Sequence, residues 1–257
     1  MNAAFVVVDW GTSSFRGWLM SATGETLAES RGNEGMLHCA AGAGFAPVLD
    51  HHLARLGAPE KVPVLICGMA GARQGWVEAP YIKTPTRLDA LHEAAIRVAS
   101  PGDIRILPGI AQAQAGRPDV MRGEETQLLG VTEPDFSGLV CIPGTHSKWV
   151  RIEDGCVVAF STYMTGELFA TLAQHSILMH AVEAGALRPD GQALGLPHPL
   201  VGQRDVADAG VAVLGVPDGL AVPDQDEIGQ RVLLSCACAA TWPGSQPRAA
   251  SSSTKRR

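Results

Sequence analysis

The sequence predicts a two-lobed α/β protein, and three observations carry that expectation. Short apolar runs of strand character alternate with segments whose apolar residues fall at helical spacing. A strand, a Gly-Thr-x-Ser turn and a second strand occur twice, with Gly11, Thr12 and Ser14 falling on Gly144, Thr145 and Ser147 at a common offset of 133 residues. The chain of 257 residues, 46% apolar and 18% charged, is long enough for one large domain or two modest ones.

The elements follow in order. AFVVVDW at 4–10 is a near-continuous apolar run, the mark of a buried strand. FRGWLM at 15–20 and TLAESRG at 26–32 give two more strands joined by a SATGE turn, so the chain opens as a meander. GFAPVLDHHLARLG, 44–57, predicts a helix with Leu49, Leu53 and Leu56 on one side and Gly57 as its stop; His51 and His52 belong to it and need no function. VPVLICGM at 62–69 is a strand. TRLDALHEAAIRVA at 86–99 predicts a second helix, and DIRILPG at 103–109 a further strand. GEETQLLGV opens a short helix with two acids in its first turn, where the helix dipole favours them. LVCIPGTHSKWVRIEDGCVVAFSTYM, 139–164, then repeats the opening theme. One difference between the copies is informative: Ile142 stands opposite Asp9. His175 and His180 lie near apolar helical positions and read as structural.

Charge and composition narrow the function. A net charge of -6 and a pI of about 5.7 imply neither nucleic acid nor a membrane surface as a general partner. The start lacks a secretory pattern, and no run approaches the ~18 apolar residues of a transmembrane helix. The cysteines at 39, 67, 141, 156, 236 and 238 form no CxxC pair and no zinc spacing. The expectation is a cytoplasmic protein with reduced thiols.

The two turns carry the chemistry. A tight bend of small residues at a strand end leaves backbone N–H groups outward, and the hydroxyls of Thr12, Ser13 and Ser14 add donors, so the bend suits phosphate oxygens. Asp9 at the strand tip would repel phosphate unless a divalent cation stood between them; holding Mg2+, directly or through water, gives it a role. Two facing bends, one with the acid and one without, would clamp a nucleoside triphosphate from both sides. Neither a Walker loop nor a G-x-G-x-x-G after a strand is present.

DWGTSS and PGTHSK resemble the two phosphate loops of the sugar kinase/actin/Hsp70 superfamily. DWGTSSFRGWLM, CGMAGARQGWVEAPY, DVMRGEETQLLG, PGTHSKWV and TYMTGELFATLAQHSIL are similar to the 2-dehydro-3-deoxygalactonokinase family more specifically, spanning residues 5 to about 178. The resemblance implies an actin-like, ribonuclease H-like two-lobed fold. It also implies an ATP- and Mg2+-dependent kinase that phosphorylates the terminal hydroxyl of 2-dehydro-3-deoxy-D-galactonate. The expected lobes are 1–120 and 121–235, with 236–257 as a tail.

On that resemblance Asp9 serves the metal. Gly11, Thr12 and Ser13 meet the terminal phosphates from one lobe, and Gly144, Thr145, His146 and Ser147 from the other. Lys148 offsets charge on the transferring group. Related sugar kinases place a carboxylate base in a Gly-Asp stretch before the second loop; here Arg122-Gly123-Glu124-Glu125 stands there, so Glu124 is the first candidate base and Glu125 the second. A sugar acid's carboxylate calls for arginine. Arg73 is the foremost candidate, with Gln74 for hydroxyls, Trp76 for the apolar face, and Arg16, Arg122 and Glu167 as further substrate-facing residues; Glu167 can instead belong to a helix start that Thr165 caps. The family's pattern is not matched after about 221, as a truncated or frame-shifted gene would give, and this leaves the second lobe incomplete. A remnant that binds sugar acid or phosphate without turnover, and a kinase of the same superfamily for another sugar, are the alternatives. A homodimer is a further possible assembly.

Overall fold

The structure, a computed structural model, describes residues 3–113, 116–180 and 211–213. The Pro/Gly-rich stretch at 188–205 and the tail at 236–257 lie outside the described residues.

The chain opens with β1 (Ala3–Trp10), β2 (Phe15–Ser21) and β3 (Thr26–Gly32), an antiparallel meander. Val6, Val7 and Val8 are wholly buried because both faces of β1 are covered. A single turn, α1 (Met36–His38), leads to α2 (Phe45–Arg55). Gly57, at φ 62, takes the left-handed conformation that ends α2, as its position in the sequence predicts. β4 (Val64–Gly68) returns parallel to β1.

The segment that follows departs from expectation. After β5 (Tyr81–Lys83), the run of β6 (Thr86–Arg87), a 3₁₀ turn at Leu88–Ala94 and β7 (Ile96–Arg97) replaces the helix predicted for 86–99. Its two ends are captured by sheet edges: Thr86 and Arg87 pair with Val157 and Cys156, and Ile96 and Arg97 with Ile106 and Arg105. The residues between bury Leu88 and Leu91, three apart, which suits three residues per turn. Long-range pairing outweighs local helix propensity here. β8 (Ile104–Ile106), β9 (Gly109–Gln112), β10 (Asp119–Met121) and α3 (Glu124–Val131) follow.

The second half builds β11 (Gly138–Ile142), β12 (Ser147–Glu153), β13 (Cys156–Tyr163), α4 (Thr165–His175) and β14 (Val211–Val213). The first sheet runs β3-β2-β1-β4-β8-β7, and another runs β14-β11-β12-β13-β6. In both, the first strand of a meander lies between an antiparallel neighbour and a parallel one. The duplication read from the turns is therefore a duplication of sheet topology. β6, from the first half of the chain, extends the second sheet, and β5-β9-β10 form a small third sheet.

One core cluster packs α2 against a face of the first sheet through Val6, Val8, Phe15, Leu49 and Ile66. The opposite face carries Phe5, Val7, Trp18 and Leu65, and a third cluster joins Leu128, Val140, Val150 and Phe160. Leu129 of α3 packs against both of these last two. α3 is thus wedged between the sheets, and its N-terminus carries both candidate glutamates. No helix among the described residues is long and apolar enough to cross a membrane.

Candidate functional site

Each Gly-Thr-x-Ser bend is braced from behind. In the first, Gly11 N donates to Ser14 O at 2.9 Å, closing the turn. Met36 N then donates to Gly11 O at 2.9 Å and Leu37 N to Thr12 O at 3.0 Å. In the second, Gly166 N donates to Gly144 O at 3.2 Å and Glu167 N to Thr145 O at 3.0 Å. A trans peptide holds its C=O and N–H on opposite sides. Pinning the carbonyls of Gly11 and Thr12 therefore turns the N–H groups of Thr12 and Ser13 outward. The same pins at Gly144 and Thr145 turn out those of Thr145 and His146. Thr12, Ser13, Thr145 and His146 are all exposed. Each bend therefore carries a pair of outward amides, an arrangement suited to an anion.

The braces need small residues. A Cβ on Gly35 would lie 2.5 Å from Ser13 Cα, and one on Gly166 would lie 2.6 Å from Gly144 O. Neither segment was singled out as a brace from the sequence. The available signal was a glycine shortly after the third strand of each meander. Thr165 is not the N-cap of α4; Met164 is. The Thr165 hydroxyl is engaged instead with Ser147 Oγ and, at 3.4 Å, with Gly144 O. Glu167 Oε2 meets His146 Nε2, so its carboxylate supports the second bend. The second bend is also longer by one residue: Trp10 pairs with Phe15, but Ile142 pairs with Lys148. Pro143, at the position of Trp10, has no N–H to continue the ladder.

A run of neighbouring glycines and charged side chains leads from the tip of β1 to the second bend. Asp9 Oδ2 accepts from Arg16 Nη2 at 2.6 Å across the β1–β2 ladder. Burial raises the Asp9 carboxyl above its usual range while Arg16 pulls it back. Gly68, at φ 88, lies against Asp9; a Cβ there would be 2.7 Å from Trp10 O and 3.4 Å from Asp9 Oδ1. Gly123, at φ 108, approaches in turn, its Cβ position 3.6 Å from Gly68 Cα. Glu124 follows at the start of α3. Its Oε2 accepts from Arg122 N at 3.0 Å, and its Oε1 lies 4.0 Å from Lys148 Nζ. Burial raises the Glu124 carboxyl, and Lys148 lowers it. Lys148 is itself buried and donates to Val120 O at 2.9 Å and Thr162 Oγ1 at 2.7 Å; Thr162 Oγ1 donates on to Asp119 at 2.8 Å. That leaves one ammonium hydrogen for the Glu124 side.

Glu125 sits differently. It is wholly buried, both carboxylate oxygens lie 2.8 Å from Gly123 N, and burial, with Glu124 beside it, pushes its pKa up to about 8. It is neutral at pH 7 and faces the backbone.

The remaining candidates are spread along the loop after β4. Arg73 and Gln74 are exposed. Trp76 is half-buried and stacks on Phe45 at 6.0 Å, within a cluster that includes Trp10. Arg122 lies over the Tyr81 ring at 4.2 Å and donates to Ala79 O at 2.9 Å, tying α3 to the end of that loop. Its Nη1 is buried without a hydrogen-bond partner. No group of three or more His, Cys, Asp or Glu that could hold a metal occurs among the described residues.

The sequence profile of 2-keto-3-deoxy-galactonokinase matches residues 9–208, most of the chain. The chain belongs to the 2-keto-3-deoxy-galactonokinase family. Among curated members of this kinase family, "Probable 2-dehydro-3-deoxygalactonokinase DgoK1" of Rhizobium meliloti (strain 1021) is 57% identical over 181 residues. The 2-dehydro-3-deoxygalactonokinase of Escherichia coli (strain K12) is 37% identical over 179 residues. Each alignment takes in 69% of this chain and 59% of the relative, so the chain spans about three fifths of the curated kinases it matches. A crystal structure from Sinorhizobium meliloti, assigned to a 2-dehydro-3-deoxygalactonokinase, superposes with a TM-score of 0.74 at 38% identity, covering 93% of this chain and 100% of that one. The repeated sheet topology and this superposition give the family's actin-like sugar kinase fold.

Proposed function

We propose that the chain is an ATP-dependent kinase transferring the γ-phosphoryl group to the terminal hydroxyl of 2-dehydro-3-deoxy-D-galactonate, the activity that its relatives' names carry. The observation that supports this reading most is the succession of neighbouring groups from Asp9 through Gly68 and Gly123 to Glu124 and Lys148, with a braced bend at each end.

The bends at 11–14 and 144–147 take the phosphate oxygens, with Thr12, Ser13, Thr145 and His146 amides as donors. Glu124 accepts the proton of the attacking hydroxyl. The hydroxyl oxygen bonds to the γ-phosphorus as the bond to the β-phosphate oxygen breaks, and ADP leaves. Lys148 opposes the effect of burial on Glu124 and draws its carboxyl back toward the charged form that a base needs. Glu125, neutral and turned to Gly123, plays no proton-transfer part. Asp9 is the residue for Mg2+: its Oδ1 faces the glycines rather than Arg16, and one carboxylate suits an ion that takes its remaining ligands from phosphate and water. Mg2+ supplies charge neutralisation on the polyphosphate. Arg73 and Gln74, exposed in the loop after β4, hold the substrate's carboxylate and hydroxyls. Arg16, Trp76, Arg122 and Glu167 support these groups from behind. The division between the lobes lies near residue 120, with β6 crossing to pair into the second sheet, and a cytoplasmic site of action follows from the proposed substrates.

A second reading, binding without turnover, draws on α4. None of its residues is buried, and Leu168 and Phe169 are 55% and 65% exposed. Coupled ADP-release assays with this substrate separate the two. Under the first reading Glu124→Gln lowers kcat by about 10²–10⁴ and leaves both Michaelis constants within a few-fold. Folded chain that binds Mg·ATP yet never turns over supports the second.

A further inference from the structure

Behind the first bend a buried histidine faces a half-buried glutamate, and neither takes part in the chemistry above. His52 is wholly buried on α2, its ring stacked on Phe15 at 3.8 Å between centroids. Its Nδ1 lies 2.8 Å from Ser30 Oγ. Its Nε2 lies 3.6 Å from Glu34 Oε2, a separation too long for a hydrogen bond, and both atoms are buried with no other partner. Burial lowers the His52 pKa below its ordinary 6.5, so the ring is neutral at pH 7. A carboxylate only accepts, which places the ring proton on Nε2 and makes Ser30 the donor to Nδ1.

The surroundings are shaped for this pair. A Cβ on Gly32 would overlap Glu34 Oε2 and come 3.0 Å from His52 Cε1, so the bare glycine lets the Glu34 carboxylate fold back toward the imidazole. The Glu34 carbonyl accepts from Trp10 Nε1 at 3.0 Å. The next residues are the brace itself: Gly35 presses on Ser13, and the Met36 and Leu37 amides pin Gly11 O and Thr12 O.

We propose that His52 is a positioning residue for the first phosphate bend, acting through the Glu34 carboxylate to fix the Gly35–Leu37 brace. The inference rests on the reading that the bend holds triphosphate. With its carbonyl held by Trp10 and its carboxylate drawn electrostatically toward the His52 N–H, Glu34 restrains the brace against the bend, so the Thr12 and Ser13 amides are already aimed before nucleotide arrives.

Two substitutions divide the imidazole. His52→Asn keeps an amide near Nδ1, His52→Gln keeps one near Nε2, and both lose the Phe15 stack. Mg·ATP is titrated calorimetrically into the wild-type chain, H52N, H52Q, E34A and the H52N/E34A double variant. H52N and E34A are expected to weaken binding about 5- to 10-fold, the double variant no further, and H52Q to stay within about twofold of wild type. Glu34 is partly exposed, so E34A tests the link even where a change inside the core hinders folding. Amide exchange at Met36 and Leu37 without nucleotide should rise in H52N and E34A but not in H52Q. Equal weakening in H52N and H52Q would reduce His52 to core packing and overturn the inference. Wild-type chain that fails to bind Mg·ATP counts against the proposed function instead, and the exchange measurement then decides: equal rates in H52N and H52Q overturn the positioning role.

Discussion

Replacing Glu125 by glutamine should change how stability depends on pH. The native carboxyl is wholly buried and keeps its proton to about pH 8, whereas the unfolded chain releases it near 4.5. Between those values the folded state holds more protons, so stability is lost as pH rises. At about 1.36 kcal/mol per pH unit, the displacement from 4.5 to 8 amounts to about 5 kcal/mol, of which roughly 3 falls between pH 5 and pH 8. Glu125→Gln removes the titration and keeps an oxygen for Gly123 N. Other shifted groups, Asp9 and Glu124 among them, titrate in both proteins and cancel in the difference. Urea unfolding of both chains at half-unit steps from pH 5 to pH 8 gives that difference directly. The variant is expected to gain on wild type by roughly 3 kcal/mol across the range. A difference that stays flat to within about 0.5 kcal/mol means that Glu125 is ionised in the folded protein. It would then return as a candidate base beside Glu124.

Further substitutions test the backbone and the ligand contacts. Gly166→Ala sets a methyl group against Gly144 O and opens both brace hydrogen bonds, about 2 kcal/mol together, so Mg·ATP affinity should fall roughly 30-fold in calorimetry; unchanged affinity removes the brace from the site. Arg73→Ala should raise the Michaelis constant for the sugar acid at least tenfold with little change in melting temperature, while Arg122→Ala, which unties Ala79 and Tyr81, should lower the melting temperature first. The opposite pattern would transfer the carboxylate clamp to Arg122. Asp9→Asn should abolish the gain in ATP affinity on adding Mg2+ and spare metal-free binding; a gain as large as in wild type removes Asp9 from the metal.

How much of this was legible depends on how far apart in sequence the partners stand. The two bends could be read directly, because an apolar run ending in Gly-Thr-x-Ser is a local pattern and its recurrence at a fixed offset is visible in the text. α3 was legible for the same reason: Gly123 before two acids marks a helix start. The segment at 86–99 was misread because Thr86 and Arg87 are held by β13, some seventy residues on, and no local propensity records that pairing. The braces were missed because they act through main-chain amides of Met36, Leu37, Gly166 and Glu167, whose side chains carry no trace of the bond. Trp76 looked like a sugar platform in isolation, but Phe45 and Trp10 take up its ring. The unequal surroundings of Glu124 and Glu125 are also tertiary, since the two are adjacent in the chain and only the wedge of α3 between the sheets separates their environments.

The duplication divides the site into a shared part and an unshared part. Both halves keep the bend, the brace and the glycine that the brace requires, all of it main chain. As anion sites, such bends would not distinguish which end of a triphosphate they meet, so two copies alone would set no direction for transfer. Direction has to come from side chains, and there the halves differ. The first half carries Asp9, paired with Arg16, one residue before the end of β1; the second has Ile142 at the equivalent position and sends Lys148 toward Glu124. On the proposed roles, the carboxylate for the metal stands on one side of the glycine seam and the carboxylate for the hydroxyl, beside Lys148, on the other. Exchanging Asp9 for the isoleucine of the second half would make the halves alike. On this reasoning it would cost catalysis far more than it costs binding of the triphosphate itself.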